Sequence, residues 1–114
     1  MIKIEIQRQN GKITYFEIKG HANFSEYGED VICAAVSSVG QMTINGLIET
    51  LKLQKKLEYV EKDGLITCDL KDSELTDDEL EKADILIESM YSYLKAVARS
   101  YSEFVKLEEK IENK

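Results

Sequence analysis

The chain has 114 residues, 43% of them apolar, no proline and no tryptophan, and 22 acidic against 15 basic side chains for a formal charge of −7. That length suits one domain, residues 1–114, able to bury its own core without a metal or disulfide to staple it. The acidic balance argues against direct contact with nucleic acid, because phosphate binding needs clustered Lys and Arg.

Residues 2–8 alternate Ile2, Ile4 and Ile6 with Lys3, Glu5 and Gln7, the pattern of a strand with one buried face. The segment has no apolar stretch of signal-peptide length, and no run in the chain is expected to reach a membrane span. Cytoplasmic residence is the resulting expectation. In that reducing compartment Cys33 and Cys68, which lack a CxxC spacing, are expected as free thiols. Asn10-Gly11 then predicts a tight hairpin, since both central positions of a type I′ turn need positive φ. A second strand over 13–19 completes it, with Ile13, Tyr15, Phe16 and Ile18.

Residues 20–29 are small and polar and predict a loop, where functional groups concentrate. From Val31 to Leu51 the apolar spacing turns helical, and its breadth predicts a central, well-buried helix. Asp30 is suited to be its N-cap. Gly40 and Gly46 inside it predict a close backbone approach to another element. A second hairpin follows, 57–61 and 65–70 about Asp63-Gly64. Thr76-Asp77-Asp78-Glu79 then opens a long helix with a capping-box pattern. Its apolar stripe runs from Leu80 through Ile87 and Leu94 to Tyr101 and Phe104, with Tyr91 and Tyr93 as core and interface aromatics. The order is ββαββα, and hairpins segregated from helices argue an α+β fold.

Chemistry gathers at one segment. With Asp30 as N-cap, Cys33 is the third helical residue, where unpaired N–H groups and the positive dipole end favour an anion such as a thiolate or an oxyanion. His21, the sole histidine, is the one side chain able to act as a general base near neutral pH without perturbation. Ser37 follows Cys33 by one turn and shares its face, so it is a supporting candidate, and Asp30 is another, as cap or as orienter of His21. The residues also fit a plain reading, in which Cys33 is a small core side chain and His21 a surface one. Cys68 shares the strand face of Ile66 and Leu70 and reads as core. No metal-ligand spacing is present in the motifs.

Gly20-His21-Ala22, followed by Gly28-Glu29-Asp30-Val31-Ile32-Cys33-Ala34-Ala35-Val36-Ser37, resembles the ribosomal-processing cysteine protease family, Prp. The resemblance extends over essentially the whole chain. It implies an endopeptidase that removes a short, apolar N-terminal extension from large-subunit ribosomal protein L-twenty-seven. Cys33 would be the nucleophile and His21 the base and acid. The loop 22–29, with Ala22, Asn23 and Gly28, would be a gate that orders on substrate. A homodimer is implied, with the last helix as a source of its interface, and no cofactor. The competing class is a non-catalytic ribosome-assembly or interaction module in which Cys33 is buried and inert.

Overall fold

The computed structural model describes residues 1–20, 27–71 and 74–112, with the side chains of 27–30 left aside. Strands β1 (Ile2–Gln9) and β2 (Lys12–Lys19) form the expected hairpin. Its turn takes positive φ at Asn10 (52°) and Gly11 (83°), as a type I′ turn requires. Ile2, Ile4 and Ile6 are buried on one face and meet Phe16 and Ile18 across the ladder. A bulge between Gln7 and Arg8 shifts the register, so that Arg8 lies opposite Ile13. The bulge explains why Ile13 and Phe16 are both buried although their spacing breaks the two-residue period.

Helix α1 (Tyr27–Asn45) runs into a single wide turn over Gly46–Thr50. Strands β3 (Glu58–Lys62) and β4 (Leu65–Asp69) make the second hairpin. Helix α2 (Asp77–Ser100) opens with the capping box: the Thr76 hydroxyl accepts from the Glu79 N–H, and the Glu79 carboxylate accepts from the Thr76 N–H. Such a cap contributes about 1 kcal/mol, and Asp77, Asp78 and Glu79 suit the positive end of the helix dipole.

The α+β class is as expected, but the order is ββαββαβ. The α2 stripe stops at Ser100, a turn covers 101–104, and β5 (Val105–Glu112) follows. β5 pairs in parallel with β1 along its whole length, Ile2 opposite Val105 through Gln9 opposite Glu112. The completed sheet has the order β3-β4-β2-β1-β5. No proline or glycine marks the end of α2. Strand β1 would otherwise be an edge, and pairing satisfies its open backbone groups, starting with the Ile2 N–H donating to the Phe104 carbonyl at 2.8 Å.

Both helices lie on the face that carries the isoleucines. Gly40 is the contact point for α1: a β-carbon there would stand 2.7 Å from Ile18 Cδ1 and 3.2 Å from Ile66 Cδ1. Gly46 similarly lets Leu86 of α2 approach to 3.1 Å from where a β-carbon would be. The expected close approaches are therefore real. The expectation that α1 is well buried is not met. Ile32, Val36, Ile44 and Leu47 are buried, while Val31 and Met42 are 61% and 69% exposed. Val31–Thr50 is also long and apolar enough, by length and composition, to cross a membrane, contrary to the expectation that no run reaches that size. In this fold its buried apolar side chains join the sheet core instead.

One polar cluster ties the far end of the sheet together. From the bulge, Arg8 binds Glu88 of α2 through both terminal nitrogens and donates from Nε to Glu109 of β5 at 3.0 Å. Its hydrogen bond holds the Glu109 carboxyl below the usual carboxylate range. Next to it, Asp84 of α2 accepts the Ile13 N–H at 2.9 Å.

Candidate active site

Gly20 follows the last residue of β2, and three features constrain it. Its φ is +110°, a conformation open chiefly to glycine. Its N–H donates to the Gly64 carbonyl in the β3–β4 turn at 3.0 Å. A β-carbon on it would lie 2.6 Å from the Met1 carbonyl oxygen. The end of β2 is thus held between the start of β1 and the second hairpin.

Cys33 faces this point from α1. Its Sγ lies 3.9 Å from the Gly20 carbonyl oxygen, within reach of a weak S–H donor. The thiol is partly exposed and also packs on the core. Because that carbonyl carbon is bonded to the nitrogen of His21, the chain departs toward His21 from beside the thiol. His21, Ala22 and Asn23 themselves lie outside the described residues.

The helix start differs from expectation. α1 begins at Tyr27, so Asp30 is its fourth residue and not its N-cap, and Cys33 is its seventh. Gly28, expected in the loop, is the second helical residue. Glu29 and Asp30 explain the extension, since acidic residues are favoured in a first turn. There is a chemical consequence. The Cys33 amide lies beyond the first four unpaired N–H groups and is committed to the carbonyl four residues back. It is therefore not available to hold an oxyanion, as a Cys33 at the third position would have been.

Ser37 stands one turn beyond Cys33, as expected, and lines a cleft of about 320 Å³ with Gly20, Gln41, Glu61, Asp63 and Gly64. Ile18 and Ile66 form its apolar floor. The cleft adjoins the thiol through Gly20, which lines it and whose carbonyl oxygen lies 3.9 Å from Cys33 Sγ. Sequence reasoning missed Gln41, Glu61 and Asp63. Gln41 was within reach, being eight residues after Cys33 on the same helical line. The two acids were not, because only the β2–β4 pairing, with Lys19 opposite Leu65, brings the second turn to Gly20.

The second thiol is of another kind. Cys68 is fully buried in β4, opposite Phe16 and Tyr59. Burial chiefly, then the neighbouring Asp69 carboxylate, pushes its thiol up to about 12. It is a core side chain, as its strand pattern suggested. Of the α2 tyrosines, Tyr91 is buried and Tyr93 is 52% exposed, and Tyr101, in the turn after the helix, is 45% exposed.

The sequence model for the family described as cysteine protease Prp matches residues 1–106. The ribosomal processing cysteine protease Prp of Bacillus subtilis (strain 168) is 35% identical over 104 residues, covering 90% of this chain and 92% of its own. SMU.848 from Streptococcus mutans has a similar structure, with a TM-score of 0.78 and 30% identity over 98% of this chain and 96% of that one. The essential ribosomal processing protease Prp of S. aureus, solved with a covalently linked product peptide, matches with a TM-score of 0.74 and 26% identity, over 96% of this chain and all 100% of its own.

Proposed function

The chain belongs to the Prp family of cysteine proteases, and from that membership we propose that it processes a ribosomal protein, removing the N-terminal extension of large-subunit protein L-twenty-seven in the cytoplasm. The observation that carries the reading is the partly exposed Cys33 thiol, 3.9 Å from the Gly20 carbonyl that leads into His21.

Cys33 is the nucleophile and His21 its base. His21 takes the thiol proton, and the sulfur forms a bond to the scissile carbonyl carbon, whose π electrons move to oxygen. Collapse of that tetrahedral intermediate breaks the C–N bond, and His21 returns the proton to the leaving amine. A water, deprotonated by His21, then attacks the thioester and releases the acid and the thiol. The residues that serve this chemistry need no cofactor. Ser37 supports the site from the next turn, and Asp30, now a first-turn residue, is a positioning candidate.

The test is mass spectrometry of L-twenty-seven bearing its extension, incubated with the native chain and with Cys33→Ser. A defined N-terminal fragment released only by the native chain is the expected result. An intact substrate that still binds would overturn the reading in favour of a non-catalytic assembly module.

The homodimer is part of the same proposal. Met42 of α1 and Tyr93 of α2 stand exposed on either side of an apolar groove of about 550 Å³, with Val39, Leu86 and Met90 along it. Contiguous exposed apolar surface of this kind marks interaction sites. Sedimentation equilibrium is expected to give a dimer for the native chain and a monomer for Met42→Glu. A native chain that stays monomeric at tens of micromolar contradicts it.

A further inference from the structure

The two ends of β5 are held in different ways. Val105 is buried and Leu107 half-buried, while Lys106 and the residues from Glu108 to Glu112 are exposed. Side chains hold the far end: Glu109 meets Arg8 at 3.0 Å, Lys110 meets Glu5 at 3.2 Å and Glu112 meets Gln9 at 2.8 Å. Backbone and core hold the near end. The Tyr101 N–H donates to the Val97 carbonyl of α2, and the Tyr101 carbonyl accepts from Phe104 at 2.9 Å and from Val105 at 3.1 Å. The Phe104 carbonyl is thereby set relative to the end of α2, and it accepts the Ile2 N–H at 2.8 Å.

Ile2 carries that constraint across the sheet. It pairs with Val105 on one side and is itself buried. On its other side it stands next to Gly20, one step beyond the last β1–β2 pair, Lys3 with Lys19. The Met1 carbonyl oxygen and the Ile2 Cα crowd Gly20, so that a β-carbon there would lie 2.6 and 3.4 Å from them. Gly20 in turn carries the carbonyl that stands 3.9 Å from Cys33 Sγ and the peptide bond to His21. Neighbouring strands lie about 4.8 Å apart, so the start of β5 acts on Gly20 from two strand spacings, about 10 Å.

We infer that the start of β5, Phe104 to Lys106, is a positioning element for the Cys33–His21 pair: it fixes the first residues of β1, against which Gly20 is set. The inference rests on the reading of Cys33 as nucleophile only for what is positioned. Because β5 acts through backbone placement, its effect falls on the chemical step, where a displacement of about 1 Å costs ~10²-fold.

Proline tests the two ends of β5 separately. In a parallel ladder, a residue that donates to one carbonyl of its neighbour accepts from the N–H two residues further along. Ile2 donates to Phe104, so it accepts from Lys106; Ile6, opposite Glu109, likewise accepts from Lys110. Proline at either exposed lysine removes one ladder bond of the same kind. On L-twenty-seven bearing its extension, Lys106→Pro is expected to lower kcat by ~10–100-fold with KM within about 2-fold of native. Lys110→Pro stays within about 3-fold of native in both, each variant being assayed below its own melting transition. Val105→Ala, expected to lower kcat by ~3–10-fold, with the exposed Ile111→Ala as its control, decides the matter should Lys106→Pro not fold. Hydrogen exchange of the Gly20 amide supplies a readout that needs no cleavage. It is expected to quicken by ~10-fold in Lys106→Pro and to stay within about 2-fold of native in Lys110→Pro. Equal losses of kcat in the two proline variants, or none in Lys106→Pro, overturn the inference. Faster Gly20 exchange confined to Lys106→Pro, in a protein whose native chain does not cleave, upholds the positioning of Gly20 and removes the protease assignment. Gly20 exchange unchanged in Lys106→Pro counts against β5 whatever the native chain cleaves.

Discussion

Cys33→Ala is expected to abolish cleavage while the protein stays folded. Without the sulfur no acyl-enzyme forms, and the loss in kcat is on the order of 10⁴-fold or more, as for removal of nucleophiles from other covalent hydrolases. Stability should change little. The thiol is partly exposed and donates a weak hydrogen bond at 3.9 Å, and deleting a group of that size costs about 1 kcal/mol at most. The melting temperature should fall by no more than about 8 °C. A second readout keeps the two thiols apart. Iodoacetamide is expected to modify the native protein once, at Cys33, because Cys68 is fully buried and its thiol is pushed up to about 12; unfolding exposes the second site. Substantial turnover by Cys33→Ala, or native modification at Cys68 instead, would sink the assignment.

Gly20→Ala should lower kcat/KM by ~100-fold and destabilise the fold as well. Alanine at φ +110° carries strain of ~1–3 kcal/mol. Its β-carbon would also stand 2.6 Å from the backbone oxygen of Met1, and backbone cannot rotate away as a side chain can. Relief comes only by moving the end of β2. That shifts the carbonyl facing Cys33 and the first bond of His21 together, and a displacement of about 1 Å in a catalytic pair costs ~10²-fold. Gly11→Ala is the control. Gly11 also has positive φ, at +83°, but its β-carbon would point into open space. It should lose about 1–2 kcal/mol of stability and keep its kcat/KM. If the two variants lose activity alike, the end of β2 does not position the site.

Much of the scaffold could be read from local signals. Asn10-Gly11 and the alternating isoleucines locate the first hairpin, and Thr76 with Glu79 locates the start of α2 to the residue. Gly40 and Gly46, awkward in a helix, point to the approaches that the structure shows at Ile18, Ile66 and Leu86. Two elements went differently. Val105 and Leu107 do alternate, but the acidic Glu109 breaks the period and no glycine or proline punctuates the chain before them, so the apolar pattern alone carries the α2 stripe on to Phe104. The start of α1 was set one turn late, because Asp30 is as suitable for a first turn as for a cap.

The site divides in the same way. Its residue types and spacing, Gly20-His21 and the run from Gly28 to Ser37, are contiguous features that a reader of the chain alone can find. So are the hairpins and the capped helix, each decided by interactions among residues a few positions apart. Only the tertiary structure decides that β5 pairs with β1 across a hundred residues, that Gly64 meets Gly20, and that Glu61 and Asp63 face α1 across the cleft. Turn, cap and periodicity are local free energies, and they leave open which strand edge a distant segment will satisfy. That choice is made by pairing the open backbone of β1 and by packing both helices on one sheet face.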